Sequence, residues 1–382
     1  MTPLLHEEKG LLYGLGAANA KVDLLLKLLV ASRIEKKDLK RPIYVIGLSG
    51  DESQGLGLEG LLDGRFPTPG AALISAPTNL ELWTRHPGSV TIRLSAGRPL
   101  RHRRMPSFRG MVEIDIEGRS AHAQSPGVGR DALARGLAVL KSLRAHGELR
   151  VLSISGGEGA HRLAGQCRMQ LATSFEELPP LPAYARVRHL SDGVAVPLPI
   201  DKMLGTWLRA YKAGINAVKQ ELDLSSYARE SRPIAPSHMG WIKSDRDALR
   251  GELTLWTGPG VEQRALLEKF AEAAHAKVSD SDESRIDIEV VQERRPFEQS
   301  DIDGDFVGTF MGAMKGVGIP PVLSEAPYTS DAGRLRGEGV STLLFGPGRG
   351  LAHLYRDDEC LPIKHLESVY RTYDAFIKRW CT

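Results

Sequence analysis

Leu12-Tyr13-Gly14-Leu15-Gly16-Ala17-Ala18-Asn19-Ala20-Lys21 runs directly into a leucine-rich stretch that ends at Ile34. The two glycines read as a turn. Asn19 is a residue type that caps helices by accepting from their first free N–H groups, so a capped helix is expected over residues 19–34. The apolar, β-branched run 43–48 reads as a strand, closed by the turn-forming Ser49-Gly50-Asp51. A Gly-rich segment, a short helix and a second strand over 71–75 follow. Such strand–helix alternation signals a parallel α/β sheet, in which ligands sit beyond the C-terminal ends of the strands. Asp51-Glu52-Ser53 stands at one such end and Ala76-Pro77-Thr78 at the next.

From about Arg109 the texture changes to α+β. Strands are expected over 111–117, 151–154, 168–172, 253–256 and 286–291, with helices over 131–143 and 261–276. Residues 178–250 are Pro-rich and irregular, and their pattern places no element. The α/β texture then returns, with a helix over 305–315, a strand over 341–345 and a final helix over 366–380. The layout predicts an α/β domain of residues 1–108 and 301–382, interrupted by an inserted α+β domain of residues 109–300.

The composition is that of a globular protein: 42% hydrophobic and 25% charged over 382 residues, enough for a sizeable core. A net charge of +3 gives no case for nucleic acid, and Arg101-His102-Arg103-Arg104 reads as solvated loop. Cys167, Cys360 and Cys381 are far apart and form neither a disulfide framework nor a metal knuckle. No run reaches the ~18 apolar residues of a membrane span. The best candidate, 22–34, is broken by Asp23, Lys27 and Arg33, and residues 1–10 lack a signal-peptide core. A reducing, cytoplasmic setting is expected.

Four islands recur in a telling order: residues 12–21, Gly50-Asp51-Glu52-Ser53, Ala76-Pro77-Thr78, and Gly346-Pro347-Gly348 with Ala352-His353. Together they resemble the co-catalytic zinc exopeptidase and deacylase family, which includes acetylornithine deacetylase, succinyl-diaminopimelate desuccinylase, aminoacylase and glutamate carboxypeptidase. Gly118-Arg119-Ser120-Ala121-His122 resembles the signature of that family's inserted lid and dimerisation domain, and Gly156-Gly157 and Ser330-Asp331-Ala332 also match. The resemblance implies an exopeptidase-like sheet domain carrying a lid. It also implies two zinc ions about 3.5 Å apart that polarise an amide and activate a bridging water, with a glutamate shuttling the proton.

Mapped onto this chain, most ligand positions are altered. The bridging aspartate position holds Asn19, a neutral amide that serves equally as a helix cap. The general-base position keeps Glu52, which without an activated water is a surface or capping carboxylate. The carboxylate ligand after it is Ser53, and the other carboxylate ligand position is Ala76. His353 matches the terminal ligand, and a hydrogen-bonded structural role suits it equally. The remaining ligand belongs to a His-x-Asp strand upstream of residue 12, and the chain is expected to begin too late to hold it. Glu59 and Asp63, the nearest substitute ligands, read as an exposed helix face.

In the lid, His122 matches the histidine that stabilises the oxyanion across a dimer. The asparagine that follows the Gly-Gly pair falls on His161, with Gly346 and Gly348 completing the substrate-binding set. The carboxylate-gripping arginine falls on Ser174 or Trp256, neither of which forms a bidentate pair.

The expected protein is thus a family member without catalysis, with no cofactor unless it is active, in which case zinc. It would bind or regulate through the old cleft, as a homodimer or as a heterodimer with an active paralogue, with a small-molecule ligand as a further option. The alternative is a metal-dependent amidohydrolase acting on an acylated amine or small peptide through a rebuilt site. A nucleotide site on Gly14-Leu15-Gly16 is disfavoured because no strand is expected before that turn.

Overall fold

The computed structural model describes residues 6–49, 56–64, 66–97, 108, 110–124, 127–190, 198–219, 222, 237–258, 260–278, 285–350 and 359–382. The chain divides into two compact units, Met1–Gly88 with Arg294–Thr382, and Ser89–Glu293.

The first unit opens with β1 (His6–Glu8) and β2 (Leu11–Tyr13), a short antiparallel hairpin. α1 (Val22–Ala31), α2 (Leu56–Leu62), β3 (Ala71–Ser75) and β4 (Leu82–His86) follow. The second unit contains β5 (Gly88–Gly97), β6 (Gly110–Glu117), α3 (Ala132–His146), β7 (Leu149–Gly156), β8 (Gln166–Thr173) and β9 (Ala185–Leu190). It continues through α4 (Asp201–Val218), β10 (Ser237–Ser244), β11 (Ala248–Thr257), α5 (Gln263–Ala276) and β12 (Ile286–Arg294). The chain then returns to the first unit with β13 (Phe297–Glu298), α6 (Asp305–Gly316), β14 (Leu323–Glu325) and α7 (Ala332–Gly337). β15 (Ser341–Phe345), β16 (Cys360–Pro362) and α8 (Ile363–Trp380) complete it.

In the first unit β15 lies between β3, which it pairs in parallel, and β4, which it pairs antiparallel; β14 pairs the other side of β4 in parallel, and β13 pairs the end of β4 antiparallel. Successive side chains of a strand face opposite ways, so Leu343 and Phe345 pack under α1, α6 and α8, while Leu344 joins Ala76, Trp83 and Ala332 on the opposite face. Phe310 and Phe376 meet edge-to-face at 5.1 Å within the first of these layers, a favoured geometry for aromatic pairs.

The second unit is one eight-stranded sheet in the order β12-β5-β11-β10-β7-β8-β6-β9. Its apolar face, with Ile92, Leu94, Ile114, Ile116, Leu171 and Leu253, joins one core with residues of α3, α4 and α5. The alternate residues carry charge: Arg93 reaches Glu252 at 2.7 Å and Glu289 at 2.9 Å.

Three local expectations are corrected. Residues 43–48 belong to no ladder among the described residues. Asn19 does not cap α1: it sits inside the irregular turn 17–21 with extended backbone angles, and Lys21 precedes the helix without a side-chain cap. A strand does precede the glycine turn, namely β2, although it pairs antiparallel rather than opening a parallel strand–helix unit.

Candidate functional site

Within the first unit, the glycine turn, the end of β3 and the loop after β15 converge. The Thr78 hydroxyl lies 3.3 Å from both the N–H and the carbonyl of Gly346, and the Gly350 N–H donates to the Pro77 carbonyl at 2.7 Å. The approach is so close that a Cβ on Gly346 would lie 2.6 Å from the Ala76 carbonyl. Gly348, at φ +118°, would place a Cβ 2.7 Å from that of Pro77 and 3.4 Å from that of Ala18. Only glycine fits both the space and the left-handed backbone. Asn19, Ala76, Gly346 and Gly348 thus occupy neighbouring strands of chain. Glu52, Ser53 and His353 lie outside the described residues.

A buried carboxylate that the sequence pattern did not single out as a site residue, Glu359, organises this corner. Its Oε1 accepts from the Ala18 N–H at 2.9 Å and the Asn19 N–H at 3.1 Å. A charged acceptor on two free amides does what a cap does, so the Asn19 side chain is not needed for that purpose. His365, also buried, receives the Gly348 N–H on Nδ1 at 3.4 Å. Burial first, then the nearby Lys364 and Arg349, push its pKa down to about 4, which keeps the accepting ring neutral.

Behind Ala76 lies a polar cluster inside the core. Asp23, 1% exposed, accepts the Tyr373 hydroxyl on Oδ1 at 2.7 Å, and its Oδ2 forms an ion pair with the Lys27 ammonium at 2.9 Å. The same ammonium donates to the Leu73 carbonyl at 3.1 Å and to Ser75 Oγ at 2.7 Å. A fixed cation is therefore bonded to the residue immediately before Ala76.

The donor set can be tested against two zinc ions. Zinc sites use three or four His, Cys or carboxylate ligands. Among the described residues no three such groups are placed to share a metal. Asn19 offers a neutral amide, Ala76 a methyl group, and Glu359 is already committed to two backbone amides. These residues do not fit the pair of ions.

In the second unit His122 and His161 lie in one neighbourhood with His238, a residue of the stretch whose pattern placed no element. His122 is buried, pairs with Arg162 in an isolated bridge, and accepts the Gln124 N–H on Nδ1 at 3.1 Å. Burial, reinforced by His161 and His238, lowers its pKa to about 3. At neutral pH it is an uncharged imidazole with its proton on Nε2, able to donate a hydrogen bond. His238 Nε2 donates to the Arg162 carbonyl at 2.9 Å, and His161 meets Trp256 edge-on at 6.1 Å.

An α/β unit interrupted by an antiparallel sheet-and-helix unit, with a glycine-lined corner at the parallel strand ends, defines the exopeptidase-like class of fold. The match to Peptidase family M20/M25/M40 spans residues 3–379, and the chain belongs to this family. It is 24% identical over 195 residues to acetylornithine deacetylase of Erwinia tasmaniensis, covering 47% of this chain and 44% of that protein. It is 29% identical over 112 residues to the acetylornithine deacetylase of Buchnera aphidicola, covering 29% of each. The matched region therefore spans less than half the length of these relatives.

Among solved structures, the aminoacylhistidine dipeptidase of Vibrio alginolyticus aligns with a TM-score of 0.58 at 12% identity, over 99% of this chain and 79% of that one. Human carnosine dipeptidase 1 aligns at 0.51 and 15%, over 98% and 75%. These likenesses support the fold. Among the described residues no helix is long and apolar enough to cross a membrane.

Proposed function

We propose that this chain is a non-catalytic member of the M20/M25/M40 family, acting as a binding or regulatory protein. The observation that carries the reading is Ala76, a methyl group at a ligand position, directly after a serine bonded to the Lys27 ammonium. A methyl group offers a dication neither a donor atom nor a negative charge. Glu52 and His353 then serve as cleft or structural residues. His122, His161, Gly346 and Gly348 furnish recognition rather than bond cleavage.

In one version the protein pairs with an active paralogue and lends it the neutral His122 imidazole; in the other it pairs with itself. Cys167, Cys360 and Cys381, buried and in no disulfide among the described residues, suit a reducing, cytoplasmic compartment. The test is elemental analysis of purified protein together with turnover of N-acetylornithine and aminoacyl-histidine dipeptides, with and without added zinc, cobalt or manganese. Sub-stoichiometric metal and no turnover are expected. One or two bound ions with turnover would establish the second reading, a metal-dependent amidohydrolase with a rebuilt site. Glu359, a carboxylate already beside Asn19, is the observation that favours that reading.

A further inference from the structure

Residues 157–165 join β7 to β8 and lie across β10 and β11. A β-bulge falls between Met239 and Trp241 of β10, and the connection rests directly on it. A Cβ on Gly240 would lie 2.4 Å from Ala160 Cα, and one on Gly157, at φ +80°, would lie 2.1 Å from the Gly240 carbonyl oxygen. Neither position takes a side chain without moving the connection off the sheet.

His238 of β10 stands opposite Thr254 of β11, so the two side chains leave the same face of the sheet. Trp256, two residues along β11, shares that face. The Thr254 hydroxyl donates to the Ala160 carbonyl at 3.1 Å, and His238 Nε2 donates to the Arg162 carbonyl at 2.9 Å. These are the carbonyls on either side of His161. The His161 carbonyl itself accepts the Ala123 N–H at 2.8 Å. Consecutive carbonyls are thus held from separate segments of chain. Thr254 gives its one hydroxyl proton to Ala160, so the Thr91 hydroxyl of β5, 3.3 Å away, donates to Thr254.

The side chain between these ties, His161, is half-buried and meets the buried Trp256 ring edge-on at 6.1 Å. His122 and His238 are buried, at 4% and 8% exposure. The most exposed imidazole of the cluster therefore sits on a backbone tied at every carbonyl from 160 to 162. Such ordering suits recognition, because it is complete before a ligand arrives.

We infer that His238 and Thr254 are positioning residues: they clamp the backbone on both sides of His161 and hold its imidazole against Trp256 as the group this unit offers to a ligand. That use of His161 rests on the recognition role proposed above. The clamp is measured without any ligand, whereas the non-catalytic reading is measured by metal content and turnover, so the two fail separately.

Histidine-selective 13C labelling of the full chain resolves the His161 ring protons, which the Trp256 ring current displaces. Thr254→Val and His238→Leu each remove one donor with little change of volume and should return those resonances toward the positions of an unstacked imidazole. Thr254→Ser and His238→Gln keep a donor and should leave them displaced. Exchange of the Ala123 and Leu163 amides, which bond the 161–163 segment to residues 121–123, should rise about ten-fold in the Val and Leu variants. The Phe270 amide in the core should keep its protection, and Thr254→Val, the isosteric change, decides the matter should His238→Leu lose it. Diethyl pyrocarbonate, which acylates accessible neutral imidazoles, should modify His161 before His122 and His238.

Unchanged His161 resonances in Thr254→Val and His238→Leu would overturn the clamp. Equal loss in the Ser and Gln variants would do the same, since packing rather than hydrogen bonding would then hold the connection. Modification of His122 or His238 ahead of His161 would overturn the choice of His161 as the group on offer.

Discussion

The buried Lys27–Asp23 pair ties α1 to β3 behind Ala76, and its strength can be measured. At 2.9 Å with side chains 16% and 1% exposed, the gross attraction is about 6 kcal/mol at an effective dielectric constant of about 20. Desolvation of both ions offsets much of this, and a net coupling of about 2–3 kcal/mol is expected. Lys27→Met strands the Asp23 carboxylate with the Tyr373 hydroxyl alone, and also removes donors from the Leu73 carbonyl and Ser75 Oγ. Asp23→Asn keeps an acceptor for Tyr373 and relieves the stranded charge. The double variant should therefore be more stable than the sum of the single changes predicts, by that coupling.

A two-unit chain need not unfold in one step, so the readout is hydrogen exchange in α1 and α8 rather than a global midpoint. Protection of the Val30 amide should fall about 100-fold in Lys27→Met and recover most of that loss when Asp23→Asn is added. A coupling below about 0.5 kcal/mol would mean that cavity water solvates the pair. The pair would then add little to the hold of α1 on β3, and burial would not have strengthened it.

Other measurements bear on the remaining parts of the site. His122, with its pKa lowered from 6.5 to about 3, binds fewer protons folded than unfolded between those values. The second unit should therefore lose up to about 1.4 kcal/mol per pH unit from this group as pH falls from about 6 to 3, and His122→Gln should flatten the slope of a pH–urea series by one proton. Glu359→Ala, which strands the Ala18 and Asn19 amides, should cost about 2–3 kcal/mol and lower the thermal midpoint, whereas Glu359→Gln should cost about 1 kcal/mol. Zinc should leave the thermal midpoint of the natural chain unchanged but raise that of Asn19→Asp/Ser53→Glu/Ala76→Glu, whose added carboxylates destabilise the corner until a cation neutralises them; equal midpoints with and without zinc would show that the scaffold itself no longer accommodates a metal.

What the sequence revealed depended on whether the cause was local. β3 and β15 fall where their apolar runs predict, and Asp131 caps α3 by accepting from the Leu133 and Ala134 N–H groups, because side chain and amides are two and three residues apart. Asn19 looked equally suited to capping, yet Glu359, 340 positions away, takes its backbone N–H; no local pattern encodes a partner that distant. Run 43–48 has strand composition, but a strand also needs a neighbour in register, and among the described residues none pairs with it. In the Pro-rich stretch 178–250 the spacing of α4 is present in Met203, Leu204, Trp207, Ala210 and Val218, but Gly205 and Gly214 blur it. Gly214 has a packing reason, since a Cβ there would lie 2.4 Å from the Phe270 ring.

The same distinction separates the family's glycine islands from its ligand positions. Gly346 and Gly348 are required by backbone crowding against Ala76, Pro77 and Ala18, whether or not any ion is bound, whereas carboxylates at positions 19 and 76 have no packing role to keep them. Ala76 at 2% exposure fits the corner as it stands, and a glutamate there would bury a charge while the Lys27 ammonium is already paired with Asp23. The glycine islands therefore report the fold, and the chemistry has to be read separately from the donors that remain.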